Sequence, residues 1–168
     1  MKDASTPQPG EPTSAHAGSQ TDSAHRILVV DDDSQTRRLY GFVLSRPGYV
    51  VDVAEDGAAG WQALQANRYT LLITEHEMPR LTGVELIKKL RAARMALPVV
   101  MAARRLPLEE LAQNPSLLLA GTLAKPFLAD VLLDTVANVL RITDSAPAPA
   151  KPRSALRTQA SAHGLWLL

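Results

Sequence analysis

Five short apolar runs, at 27–30, 49–53, 71–74, 99–102 and 122–124, punctuate the chain, and the longer segments between them carry apolar residues at helical spacing. Runs this short, rich in Val, Ile and Leu with little polar alternation, suit strands covered on both faces. Strand followed by helix, repeated five times, predicts a parallel sheet joined by right-handed crossovers. Helices are expected at 34–45, 57–66, 83–93, 107–113 and 128–141. Ser34 and Asp56 are read as N-caps, and Pro107 as a residue of a first helical turn. The fold class that follows is α/β, an open three-layer sandwich with five parallel strands and five helices. Ligands of such sheets bind at the carboxyl ends of the strands.

Charge and composition narrow the function. Lys and Arg number 18 against 17 Asp and Glu in 168 residues, so no basic field exists to recruit nucleic acid or an acidic membrane. The absence of cysteine excludes disulfides, thiolate metal sites and cysteine nucleophiles. Neither a secretory leader nor an apolar run long enough to span a bilayer is present, so the cytoplasm is the expected compartment. The closing Gly164-Leu165-Trp166-Leu167-Leu168 is itself too short to cross a membrane. Residues 1–25, with Pro7, Pro9, Pro12, Gly10 and Gly18, are expected as a disordered tail, and 144–168, opening on an Ala/Pro stretch, as a second. One domain, 26–143, remains between them.

Chemistry concentrates at one edge of the expected sheet. The first strand runs into Asp31, Asp32 and Asp33, the third into Glu75, His76 and Glu77, and the fifth into Lys125. Three carboxylates where a nucleotide-binding sheet would place Gly, Ser or Thr would repel a phosphate. Hard oxygen ligands from two adjacent loops, Asp31, Asp32, Glu75 and Glu77, favour Mg²⁺. Lys125 supplies a cation to counter a negative group above the sheet. A solvated acidic loop with an ordinary surface lysine is the simpler alternative. His76 is expected to face away from Glu75, since neighbouring strand residues point to opposite faces.

The motifs ILVVDDD at 27–33, Met78-Pro79 with Thr82-Gly83, Pro98-Val99-Val100-Met101 and Lys125-Pro126-Phe127 occur in this order. With them, residues 26–143 resemble the receiver domains of bacterial two-component response regulators. The resemblance implies a flavodoxin-like fold and a Mg²⁺ site at the acid pair Asp31 and Asp32. It implies a backbone metal ligand at Glu77, a phosphate-binding lysine at Lys125 and phosphoryl transfer from a histidine kinase.

Two positions depart from the family pattern. The phosphoacceptor, three residues before Met-Pro, is Glu75 instead of Asp, and the switch hydroxyl, five residues after Pro98, is replaced by Ala103. Thr122 stands where an aromatic switch residue is usual. The extra methylene of Glu75 moves its oxygens about 1.3 to 1.5 Å outward, and in-line transfer tolerates little misplacement. Glu75 is thereby able to reach towards Lys125 and imitate part of the charge of a phosphorylated Asp.

The resulting expectation is a stand-alone, non-enzymatic receiver, not conventionally phosphorylated, with weak or absent Mg²⁺ binding. It would act by binding a protein, either a histidine kinase or a downstream signalling protein. The alternative is a phosphoryl-accepting receiver serving as sink or shuttle for a histidine kinase. A Mg²⁺-dependent hydrolase lacks the spaced second Asp its nucleophile would need. The doublets Arg37-Arg38, Lys88-Lys89 and Arg104-Arg105 are read chiefly as solvated faces, with Arg104-Arg105 the best placed to meet a partner. Trp61 is read as packing.

Overall fold

The computed structural model describes residues 24–145. Its strands are β1 (Arg26–Val30), β2 (Val50–Ala54), β3 (Leu71–Thr74), β4 (Val99–Ala103) and β5 (Gly121–Ala124). Its helices are α1 (Ser34–Ser45), α2 (Gly57–Ala66), α3 (Gly83–Ala92), α4 (Leu108–Gln113) and α5 (Ala129–Ser145), with a single 3₁₀ turn at Pro115–Leu117. All strand pairs are parallel, in the order β2-β1-β3-β4-β5. This is the doubly wound, flavodoxin-like order.

Alternation along each strand builds two cores. Leu28, Val30, Leu72, Val99, Met101 and Ala103 face α2 and α3, with Leu117 of the 3₁₀ turn. Ile27, Val29, Leu71, Ile73, Val100, Ala102 and Leu123 face α1 and α5. Both faces are therefore apolar, which is why the central strands read as continuous hydrophobic runs and not as alternating ones. Trp61 lies half-buried against the first core, its ring 5.5 Å from the Lys89 ammonium.

The helix boundaries correct three expectations. Asp33, not Ser34, caps α1: its carboxylate accepts the Gln35 N–H at 3.1 Å and the Thr36 hydroxyl at 2.8 Å, and Ser34 is already helical. An ionised oxygen makes the stronger acceptor for an orphan helix donor. Pro107 precedes α4 in a non-helical conformation, so α4 is shorter than expected and buries no residue. α5 continues through Asp144 and Ser145, past the expected domain limit, and the His25 imidazole lies 3.4 Å from the Asp144 carboxylate. The remaining residues of the two expected tails fall outside those described. Among the described residues no helix is long and apolar enough to cross a membrane.

Candidate functional site

Parallel register brings the acidic residues together. Val30 of β1 pairs with Ala54 and with Thr74, so the next residues, Asp31 and Glu75, leave neighbouring strands at one level. The ladder carries on for one more bond on each side, from Asp31 N–H to the Ala54 carbonyl and from Glu75 N–H to the Val30 carbonyl. At the far side of β4, the Lys125 N–H donates to Ala103 at 2.9 Å. Lys125 begins a cis peptide bond to Pro126. Its long side chain turns back across the sheet edge.

There it meets both carboxylates. The Lys125 Nζ donates to Asp31 Oδ2 at 2.5 Å and to Glu75 Oε2 at 2.7 Å. Asp31 is 1% exposed, Glu75 5%, and the Lys125 side chain 13%. The other oxygen of Glu75 accepts the His76 N–H at 2.7 Å and, weakly, the Glu77 N–H at 3.4 Å. Asp31 Oδ1 accepts the Asp33 N–H at 2.9 Å. Two buried carboxylates thus share one ammonium. Burial pushes the Asp31 carboxyl above its ordinary value; Lys125 and the Asp33 N–H pull it down, and the Glu75 charge adds to the rise.

Local devices hold this edge in place. Arg37, one turn into α1, donates to the Asp31 carbonyl at 2.7 Å. The β3–α3 loop ends in a capping box, in which the Thr82 hydroxyl accepts the Glu85 N–H while the Glu85 carboxylate accepts the Thr82 N–H. Gly83 packs directly on the Glu75 carbonyl, and Gly57 on the Leu81 carbonyl, where any Cβ would collide. The buried Asp56 caps α2 through the Ala59 N–H and pairs with Arg80 of the same β3–α3 loop. Glu75 therefore sits on a backbone clamped from α2 and α3 together.

The expected Asp31, Asp32, Glu75, Glu77 set is not assembled into a metal centre. Asp31 and Glu75 converge, but on Lys125; Asp32 and Glu77 are exposed. Among the described residues no group of three or more His, Cys, Asp or Glu side chains is placed to hold a metal ion. Mg²⁺ is usually held through one or two carboxylates with waters completing its octahedron; here the two inner carboxylates each direct one oxygen at the Lys125 ammonium. Ala103 is buried at the end of β4 and offers no hydroxyl, and Thr122 is exposed on β5. His76 is half-buried, its Nδ1 without a partner. Lys88 pairs with Glu110 of α4 at 2.8 Å, and Arg104 and Arg105 are exposed in the β4–α4 loop.

One site residue carried no sequence signal that singled it out. Tyr40, on the inner face of α1, is buried with its ring centroid 5.9 Å from the Lys125 Nζ and 5.7 Å from the Phe127 ring, stacked on it at 30°. Burial, followed by the charges of Asp31 and Glu75, pushes its phenol far above the ordinary range. An aromatic on a helix's core face reads as packing, and only the tertiary contact reveals its second neighbour. A cavity of about 690 Å³, lined by Leu64, Arg68, Tyr69, Leu97 and Thr143 among others, contains none of the acid-edge residues.

Comparison with known proteins agrees with this architecture. The profile of the response regulator receiver domain matches residues 27–137. Chemotaxis protein CheY1 of Helicobacter pylori (strain J99) is 36% identical over 123 residues, covering 71% of this chain and 99% of CheY1. Response regulator MprA of Mycobacterium sp. (strain KMS) is 34% identical over 130 residues, or 76% of this chain, which spans 55% of the length of MprA. Among solved structures, chemotaxis response regulator CheY4 of Vibrio cholerae superposes with a TM-score of 0.64 at 29% identity, covering 69% of this chain and 98% of CheY4. TrrA of Thermotoga maritima, in complex with Mg²⁺ and BeF, does so with a TM-score of 0.62 at 26% identity, covering 68% of this chain and 98% of TrrA. With its strand order, its acid edge and its Lys125-Pro126-Phe127 turn, the chain belongs to the receiver domain family of two-component response regulators.

Proposed function

We propose that this receiver signals without conventional phosphorylation and that its output is the binding of another protein. The observation that carries the reading is the Lys125 ammonium held between Asp31 and Glu75. A phosphoryl acceptor needs a carboxylate oxygen free to attack in line, and electrostatic partners for the charge that develops on the transferred group. Glu75 has one oxygen on Lys125 and the other on the His76 N–H. Ala103 supplies no donor, and Asp31 is engaged by the same ammonium. The ion pair itself fills the place of a phosphate, with the single charge of Glu75 standing for the greater charge of an acyl phosphate.

Mg²⁺ binding is accordingly weak, in a range of about millimolar or poorer, with a stabilisation below about 1 kcal/mol at millimolar metal. The partner is a protein of a two-component system, a histidine kinase or a downstream component, acting in the cytoplasm. Leu108, Leu118, Leu128 and Val131 are large exposed apolar side chains at the start of α4, after the 3₁₀ turn and at the start of α5, and offer it contact surface.

The test is intact-mass spectrometry after incubation with acetyl phosphate and Mg²⁺. The expected result is an unchanged mass. A stoichiometric gain of one phosphoryl group, lost in Glu75→Gln, overturns the proposal and establishes a working phosphoacceptor.

A further inference from the structure

Lys125 and Phe127 flank Pro126, and both touch the same residue on a distant helix. Tyr40 presents its ring to the Lys125 ammonium at 5.9 Å and stacks on Phe127 at 5.7 Å with 30° between the ring planes. Tyr40 is 5% exposed and belongs to the core formed by α1, α5 and their sheet face. An ammonium near an aromatic ring is attracted by the ring's quadrupole, more so where water is excluded. A buried aromatic with neighbours on both sides is also a rigid wall. Lys125 thus has carboxylates on one side and a buried, stacked ring on another.

We propose that Tyr40 is a positioning residue for Lys125, confining its ammonium to the Asp31 and Glu75 carboxylates. Lysine carries four flexible bonds, and exposed ion pairs lose much of their value to that freedom. The ring restricts the freedom and so keeps the Glu75–Lys125 contact closed. The ring does this, and the hydroxyl is not required. The inference rests on the proposed role of the Glu75–Lys125 pair and adds the part that holds it shut.

Competitive acetylation of the full chain with acetic anhydride, read by peptide mass mapping, tests it. Lys88, paired but nearly half-exposed, serves as the internal reference. In the parent and in Tyr40→Phe, Lys125 should react at least about tenfold more slowly than Lys88, because its side chain is 13% exposed against 46% for Lys88 and its ammonium is engaged by two buried carboxylates. Tyr40→Leu should raise the Lys125 rate relative to Lys88 by about fivefold or more, as should Tyr40→Met, which keeps more of the volume while removing the ring. Val136→Ala, a cavity in the same core away from Lys125, should leave Lys125 protected, separating positioning from general loosening.

The inference is overturned by any of three results: Lys125 stays protected in whichever ring-free variant folds, Tyr40→Phe exposes it as much as Tyr40→Leu does, or Val136→Ala exposes it equally. Lys125 reacting as fast as Lys88 in the parent would instead refute the closed ion pair on which the proposed function stands.

Discussion

Replacing Lys125 by Met removes the shared charge while keeping most of the side chain's length, and its cost follows from the geometry. Asp31 Oδ2 and Glu75 Oε2 both lie within hydrogen-bond reach of one Nζ, at 2.5 and 2.7 Å. The two oxygens are thus at most about 5 Å apart, and at an effective dielectric of about 20 two such charges repel by about 3 kcal/mol. Removing one member of a buried ion pair typically costs about 3 to 5 kcal/mol. Proton uptake by one carboxylate relieves part of this, so Lys125→Met should lose about 2 to 4 kcal/mol at pH 7 in urea unfolding followed by circular dichroism. In a Glu75→Gln background the same substitution should cost at least about 1.5 kcal/mol less, because one of the stranded charges is gone. The pH dependence has a definite sign. Burial already raises the Asp31 carboxyl and Lys125 pulls it down, so without Lys125 it rises further above its unfolded value and the deficit should shrink as the pH falls from 7 towards 5. A loss below about 0.5 kcal/mol, or an equal loss with and without Glu75, would refute the shared ion pair.

Further outcomes follow from the same site. Asp31 titrates above its ordinary value in the folded chain, chiefly through burial, so its contribution to stability is present at acid pH and lost as the pH rises through the folded-state value; Asp31→Asn should flatten that decline in urea titrations run at several pH values. Gly83→Ala drives a Cβ into the Glu75 carbonyl and should cost about 1 to 3 kcal/mol by the same unfolding assay, whereas an unchanged midpoint would show that the clamp on the β3–α3 loop is loose. Mg²⁺ should raise the melting temperature only slightly, and micromolar affinity abolished by Asp32→Asn would contradict the proposed weak site. Glu75→Asp should recover slow phosphorylation by acetyl phosphate in the intact-mass assay, with Ala103→Thr added to it improving the response to phosphate more than its acceptance.

Most of the architecture was legible because it is written in local patterns. The runs at 27–30, 71–74 and 99–102 are apolar on both faces, and only a sheet covered on both sides buries them; the strands found there begin or end within a residue of those limits. Asp56 was legible as a cap since a cap bonds within its own turn. Ser34 and Asp33 were not distinguished, because both residue types cap and the choice depends on where the chain leaves β1. The fourth helix was legible to within a residue, but Pro107, which suits a first turn, caps it from outside, a position set by the loop that leaves β4.

The residues of the candidate site were visible in the sequence by type and motif, while their relations were decided in three dimensions. The longer reach of Glu75 pointed to its contact with Lys125, 50 residues away, but nothing in the sequence indicates that the same ammonium will also take Asp31, 94 residues away. Those contacts depend on parallel register and on the packing that brings β5 to the edge beside β4. The same packing leaves Asp32 and Glu77 exposed, so four acidic residues that look equivalent in the sequence divide into two buried and two solvated. Tyr40 is the extreme case: its helical position establishes that it is buried, and only the tertiary structure determines that it is buried against Lys125 and Phe127. Local sequence carries the propensities of strand, cap and turn, whose interactions span a few residues; the electrostatics of a buried site arise from distances between segments that meet only once the core has formed.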